Sequence, residues 1–288
     1  MTVYNGHLKK MQVSLQQEPS PIAGDSNYAN VNYELVLDDQ LIALNSCIGS
    51  HVEFIFNNKI ACIHCGRSTN KSFSQGYCYP CFKSLARCDL CIVSPEKCHY
   101  HLGTCREPEW AQNFCMQDHY VYLANSSGVK VGITRGTQIP TRWIDQGAIQ
   151  ALPIYRVTTR LQAGLVETAF KSHVADKTNW RSLLKGEPER LDLAALAVDL
   201  KARVAADIMA LQNEHGLQSI SDCEAAEPVD IQFPVLEYPQ KIVSHNFDKE
   251  PTVAGTLWGI KGQYLLLDTG VINMRKFGGY QISASLSN

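Results

Sequence analysis

The chain has 288 residues, 45% of them hydrophobic and 19% charged, with a net charge of −2, the balance of a soluble globular protein of one or two domains. No run approaches the 18 or so apolar residues of a membrane-spanning helix, which argues against a membrane partner. The start, "MTVYNGHLKK", lacks an apolar core followed by a small-residue cleavage site, so a cytoplasmic location is expected. In a reducing compartment the 11 cysteines read as metal ligands and not as disulfides.

Charge is unevenly spread. Residues 119–190 hold ten Lys/Arg against five Asp/Glu, residues 59–118 seven against five, and the two flanks together nine against eighteen. A basic middle between acidic flanks suits a module that faces a polyanion, against the plainer reading that charge varies along any chain.

Residues 1–60 form an N-terminal β segment. "YELVLDD", "LIALNS" and "HVEFIFNNKIAC" alternate or run apolar, and "NNK" suits a hairpin turn. Residues 61–118 form a zinc-binding module. Cys62-x2-Cys65 and Cys78-x2-Cys81 are two knuckles separated by twelve residues. Each presents two thiolates on one side of a tight turn, and together they complete a tetrahedral zinc site. Gly66 and Gly76 suit the required turns. Downstream, Cys88-x2-Cys91 is a third knuckle that Cys98-x2-His101 would complete as a second tetrahedron. Cys105, Cys115 and His119 leave material for a third. Two structural zincs are therefore expected, with room for a third, and the pairing beyond the first site stays open. Such closed sites supply folding energy where little hydrophobic core is present.

Residues 119–190 read as two strands joined at "SSG", a helix around "IPTRWIDQGA", a strand "LPIYRVTT", and a helix "RLQAGLVETAFKSHVAD". Residues 191–217 form an amphipathic helix: Leu193, Leu196, Leu200, Val204, Ile208 and Leu211 recur at spacings of three and four, and Gly216 is placed to end it. Residues 218–288 pass through an acidic, proline-containing connector into short, glycine-punctuated strands. A lone hairpin is barely stable, so these strands are expected to pair with those of 1–60. The expected class is α+β, with the zinc module and the ββαβα segment inserted into a β-domain built from both chain ends.

The ββαβα segment resembles the GIY-YIG nuclease domain. "YVY" (Tyr120–Tyr122) stands at the GIY position, "KVG" (Lys130–Gly132) at the YIG position, Arg142 on the first helix, Glu167 on the second, and Asn179 twelve residues beyond. Tyr120 replaces the first glycine and Lys130 the second motif's tyrosine. The whole chain, through "CIHCGRSTNKSFSQGYC", "HLGTCREPEW" and "GIKGQYL", also resembles an uncharacterised bacterial family of unknown function that joins cysteine clusters to such a segment.

The first resemblance implies a phosphodiesterase acting on DNA or RNA. Tyr122 would be the base that activates water. A free phenol has a pKa near 10, and Lys130 would lower it by its charge. Arg142 would clamp non-bridging oxygens, and Glu167 would hold Mg²⁺ or Mn²⁺. Asn179 would orient substrate or support the fold, although its place before Trp180 suits a helix cap better. Two other readings stay open: a zinc-containing nucleic-acid-binding module without catalysis, and an interaction scaffold. No protein partner is readable from the chain.

Overall fold

A computed structural model describes residues 1–16, 28–174 and 179–287. The strands are β1 (Thr2–His7), β2 (Gln12–Gln16), β3 (Ala29–Leu37), β4 (Gln40–Ala43), β5 (His51–Ile60), β6 (His119–Asn125) and β7 (Val129–Arg135). They continue with β8 (Gln150–Val157), β9 (Ile220–Asp222), β10 (Val229–Gln232), β11 (Thr252–Lys261), β12 (Tyr264–Leu267), β13 (Gly270–Asn273) and β14 (Tyr280–Leu286). The helices are α1 (Tyr79–Ser84), α2 (Pro108–Phe114), α3 (Thr141–Asp145), α4 (Arg160–Phe170), α5 (Trp180–Leu183) and α6 (Leu193–His215). This is a mixed α+β protein dominated by sheet.

Two sheets carry the architecture. The first has six strands in the order β1-β14-β5-β11-β12-β13. Its last strand in sequence, β14, lies between β1 and β5, with Leu286 opposite both Thr2 and Val52. The second has eight strands: β2-β3-β10-β8-β6-β7 in line, with β4 on β3 and β9 on β8. The N-terminal strands β2 to β4 therefore share a sheet with the β6/β7 hairpin and do not pair into the first sheet. The bridge is β10, antiparallel to β8 and parallel to β3. The physical reason is coverage. Val31, Tyr33 and Leu35 alternate onto one face of β3 and pack in one core with Phe54, Leu257 and Ile282 of the other sheet.

The hairpin strand β6 faces two cores. Tyr122 and Ala124 belong to the core shared by the sheets. Val121 and Leu123 belong to a second core with Val166 and Phe170 of α4 and Leu200 and Val204 of α6. Alternation of period two on a strand buried on both faces produces this division. The Asp192 side chain caps α6 by accepting from Ala195 N (2.9 Å), and Gly216 with φ 99° ends it. Residues 61–118 hold little apolar core: the buried cluster there is Cys62, Cys78, Cys81 and Leu85. Among the described residues no helix is long and apolar enough to cross a membrane.

Candidate metal centre and active site

Cys62, Cys65, Cys78 and Cys81 bring their sulfurs within 4.8 Å of one another, and Cys65 Sγ lies 3.8 Å from Cys78 Sγ. A tetrahedron of zinc–sulfur bonds of about 2.3 Å has edges of about 3.8 Å, so the donor set and its spacing fit zinc. Burial resists ionisation of Cys62. The backbone N–H groups of Cys65, Cys78 and His64 and the Cys65 thiol outweigh it and bring Cys62 down to about 6. Burial and the crowding of Cys78, Cys65 and Cys62 push Cys81 upward. Four sulfurs this close cannot all ionise unless a cation joins them.

The later cysteines are not grouped as their spacing suggests. Cys88 packs against the first cluster, beside Cys62, Cys78 and Cys81. Cys91, three residues on, lines a different cavity with Cys98, Cys105 and Cys115. The 3₁₀ turns Ala86–Cys88 and Leu90–Ile92 separate the two thiols of the expected third knuckle. His101 is exposed and joins neither group, so a Cys88–Cys91–Cys98–His101 tetrahedron does not form. His119 is fully buried at the start of β6, with Nδ1–H donating to Gln117 O at 2.7 Å. Burial lowers its pKa to about 4, so the ring is neutral. Among the described residues, the second group of donors within 4.8 Å of one another is Asp89, Cys91 and His99; the four cysteines of the Cys91 cavity are not so grouped.

The hairpin places Tyr122 opposite Gly132 on β7, and the β6–β8 register shifts between Val121 and Tyr122. A bulge at this point re-aims the side chain. A Cβ on Gly132 would lie 2.8 Å from Tyr122 Oη and Cζ. The absent side chain is what lets the ring cross its neighbour. Gly132→Ala is expected to displace the Tyr122 ring and cost about 1–3 kcal/mol, as overpacking does, read as a lower melting temperature. An unchanged melt would mean the ring is not held there.

Tyr122 is fully buried, edge-on to Trp143 with ring centroids 6.0 Å apart. Gln146, one turn beyond Arg142, bridges the site. In the amide orientation that satisfies both ends, its Nε2 donates to Tyr122 Oη (3.0 Å), and its Oε1 accepts from Arg142 Nε (3.3 Å) and Nη2 (3.2 Å). Burial pushes the phenol up to about 12, while Arg142 acts to lower it. The charge that opposes burial at Tyr122 is therefore Arg142; the lowering expected from Lys130 is not met. Lys130 is itself buried, and burial with the nearby Arg142 takes it down to about 8 against the pull of Glu167.

Glu167 projects from α4 with Lys171 Nζ at 3.7 Å. Burial raises its pKa, with the Glu96 carboxylate adding to the rise and Lys171 and Arg142 opposing it. Glu96 was not foreseen as a site residue. It sits in the 3₁₀ turn Pro95–Lys97, which packs on α4 where Gly164 leaves room. A Cβ at Gly164 would come 2.5 Å from Glu96 N. The Oε2 atom of Glu96 is buried with no hydrogen-bond partner among the described residues. A buried, unpartnered carboxylate oxygen beside a second carboxylate favours either the protonated acid or a bound cation. Each carboxylate can supply an oxygen ligand to a metal ion. Arg275, on the turn before β14, is a further cation close to Arg142 and Asp145.

Asn179 is drawn into a different task. Its Oδ1 accepts from Arg181 N (3.1 Å) and Ser182 N (3.2 Å), capping α5, and its backbone N donates to Ser127 Oγ (3.0 Å). Tyr122 and Lys130 each sense the charges of Arg142 and Glu167, and Asn179 is a cap.

A family model described as "Protein of unknown function (DUF2797)" matches residues 49–282. No curated protein and no solved structure matches.

Proposed function

The chain belongs to this family of unknown function (DUF2797), and for it we propose a divalent-metal-dependent nuclease of the GIY-YIG type. The observation that carries the reading is the meeting of two carboxylates, Glu167 and the unpartnered Glu96, with Arg142 and Lys130 around the buried Tyr122. The order of elements ββαβα over residues 119–170 supports it. The family description names no activity, so the reading rests on these residues.

Glu167 and Glu96 would hold Mg²⁺ or Mn²⁺, which when bound supplies Lewis-acid stabilisation of a leaving oxygen. Arg142, oriented by Gln146, places a forked guanidinium against non-bridging phosphate oxygens, and Arg275 adds charge behind it. The substrate is nucleic acid, drawn by the basic stretch 119–190. Zinc on the Cys62 set is structural.

The proton-accepting role passes from Tyr122 to Lys130. A phenol held near 12 stays protonated at neutral pH, whereas an amine near 8 exchanges its proton in the working range. Tyr122 instead positions Gln146 and, through it, Arg142. The cleavage rate should therefore rise with pH through about 8, where neutral Lys130 becomes the main form. Lys130→Met should remove that rise, and Tyr122→Phe should keep it at a lower plateau. A Tyr122→Phe enzyme without the pH-dependent limb would return the base to Tyr122.

Complete burial of Tyr122 favours one rival, a nucleic-acid-binding module without turnover. Cleavage of supercoiled plasmid and of a structured RNA with Mg²⁺ or Mn²⁺ separates the two. Oligonucleotide binding that weakens with salt, with no cleavage in zinc-loaded protein, would establish the rival.

A further inference from the structure

Between Leu85 and His119 the chain has no strand. Its regular pieces are four 3₁₀ turns and the seven-residue helix α2. Few apolar side chains are buried in it, yet four of its cysteines, Cys91, Cys98, Cys105 and Cys115, line a single small cavity with about 10 Å³ of free volume. Such a volume admits one water-sized particle or an ion.

Asp89, Cys91 and His99 are the donors here that lie within 4.8 Å of one another, and zinc would have to draw the four cysteine sulfurs of the cavity together, but Asp89 and His99 are already engaged. Asp89 Oδ2 accepts from Arg106 Nε at 2.6 Å, and its Oδ1 accepts from Cys91 N at 3.3 Å. His99 has Nδ1 at 2.8 Å from Thr104 Oγ1 and Nε2 at 3.5 Å from Asp89. An aspartate locked to an arginine closes a loop; it is a poor metal ligand. Cys88 belongs to the Cys62 cluster and His101 faces solvent.

We propose that Cys91, Cys98, Cys105 and Cys115 hold a second zinc ion in an all-thiolate site separate from the Cys62 site. Four thiolates on Zn²⁺ leave a net charge of about −2, and the surroundings answer it: Arg160 and Arg135 act on Cys115, and Arg106 holds the adjoining Asp89. Zinc binding releases the thiol protons to solvent, so the site closes without any redox step. The site is also wired to α4. Arg160 N donates to Cys115 O at 2.8 Å, and Arg160 Nη2 donates to Ile92 O at 2.6 Å. Between Cys91 and Cys98 runs the turn that carries Glu96 onto Gly164. The second zinc thus fixes the loop that presents Glu96, while its existence does not depend on the nuclease reading.

Metal content of the full chain tests the assignment. Purified without chelator, the wild type should hold two zinc ions per chain, and Cys98→Ser and Cys105→Ser should each hold one. Cys88→Ser and His101→Ala should retain two. Two ions in Cys105→Ser, one in His101→Ala, or one in the wild type would each overturn the assignment. A measurement on the wild type covers variants that fail to fold. Cys105 is only half-buried, so alkylation followed by mass spectrometry should find it protected in zinc-loaded protein and labelled after chelation. Labelling at the rate of a free thiol before chelation would refute its ligation.

Discussion

Glu167→Gln is expected to lower metal-dependent cleavage by about a hundred- to a thousand-fold, the range for losing one preorganised electrostatic group, while the melting temperature holds or rises. The two halves of that result come from the same burial. In the folded chain the Glu167 pKa is raised, first by burial and then by Glu96. Between its ordinary and its raised pKa the folded state binds more proton than the unfolded state, so stability falls as pH climbs through that window. The penalty is fully present above the raised pKa. Glutamine keeps the shape and removes the charge, and with it the penalty. A carboxylate kept for structure would show the reverse: activity retained and stability lost. Cleavage kinetics beside calorimetry at neutral pH and at pH 4 distinguish them. Equal cleavage by wild type and variant would remove Glu167 from the chemistry and expose a contaminating nuclease.

Cys62→Ser should have the largest effect on stability. A structural zinc site carries an apparent binding free energy of about 10–16 kcal/mol at neutral pH, comparable with the whole stability of a typical domain, about 5–15 kcal/mol. The variant leaves a buried hydroxyl in a cluster whose apolar support is little more than Leu85. Loss of zinc from this site should therefore unfold residues 61–85 outright. The damage should spread, because this segment is sewn onto the start of β14. Ala61 N donates to Gly279 O at 2.8 Å, and Ser72 Oγ donates to Gly278 O at 3.1 Å. Zinc analysis, limited proteolysis and the melting profile report the result. Unchanged zinc content with an unchanged melt would mean that these four cysteines are not the ligands.

What can be read directly from the chain is what repeats locally. The α6 helix shows itself through a 3.6-residue apolar period and through Asp192 and Gly216 at its ends. The first cysteine cluster does so through two knuckles, since each fixes its own pair of sulfurs before any tertiary contact forms. Pairings made by tertiary structure leave no such mark. Cys88 and Cys91 look like one knuckle, but two consecutive 3₁₀ turns send them to different centres. Glu96 carries no spacing signal, because it reaches Glu167 only through the packing of a turn on Gly164. Gln146 had a fainter clue, four residues past Arg142 and so on the same helix face. The mixing of N-terminal strands into the hairpin's sheet rests on β10, a four-residue strand that periodicity alone does not distinguish from loop.

The place of β14 between β1 and β5 governs the order in which the molecule can be assembled during synthesis. Translation at about 5–20 residues per second leaves β5 without its partner for about 10–45 s after it emerges, and β1 for longer. Its alternating apolar face and open backbone groups are adhesive throughout that interval. The cysteine module that follows β5 needs only metal and its own turns, so it can close first and shield the end of β5. The hairpin and α4 come next, and the six-stranded sheet is sealed last by residues 280–286. Nascent chains stalled before β14 should therefore bind zinc yet remain protease-sensitive and dependent on chaperones, and activity should appear only once that strand has left the ribosome.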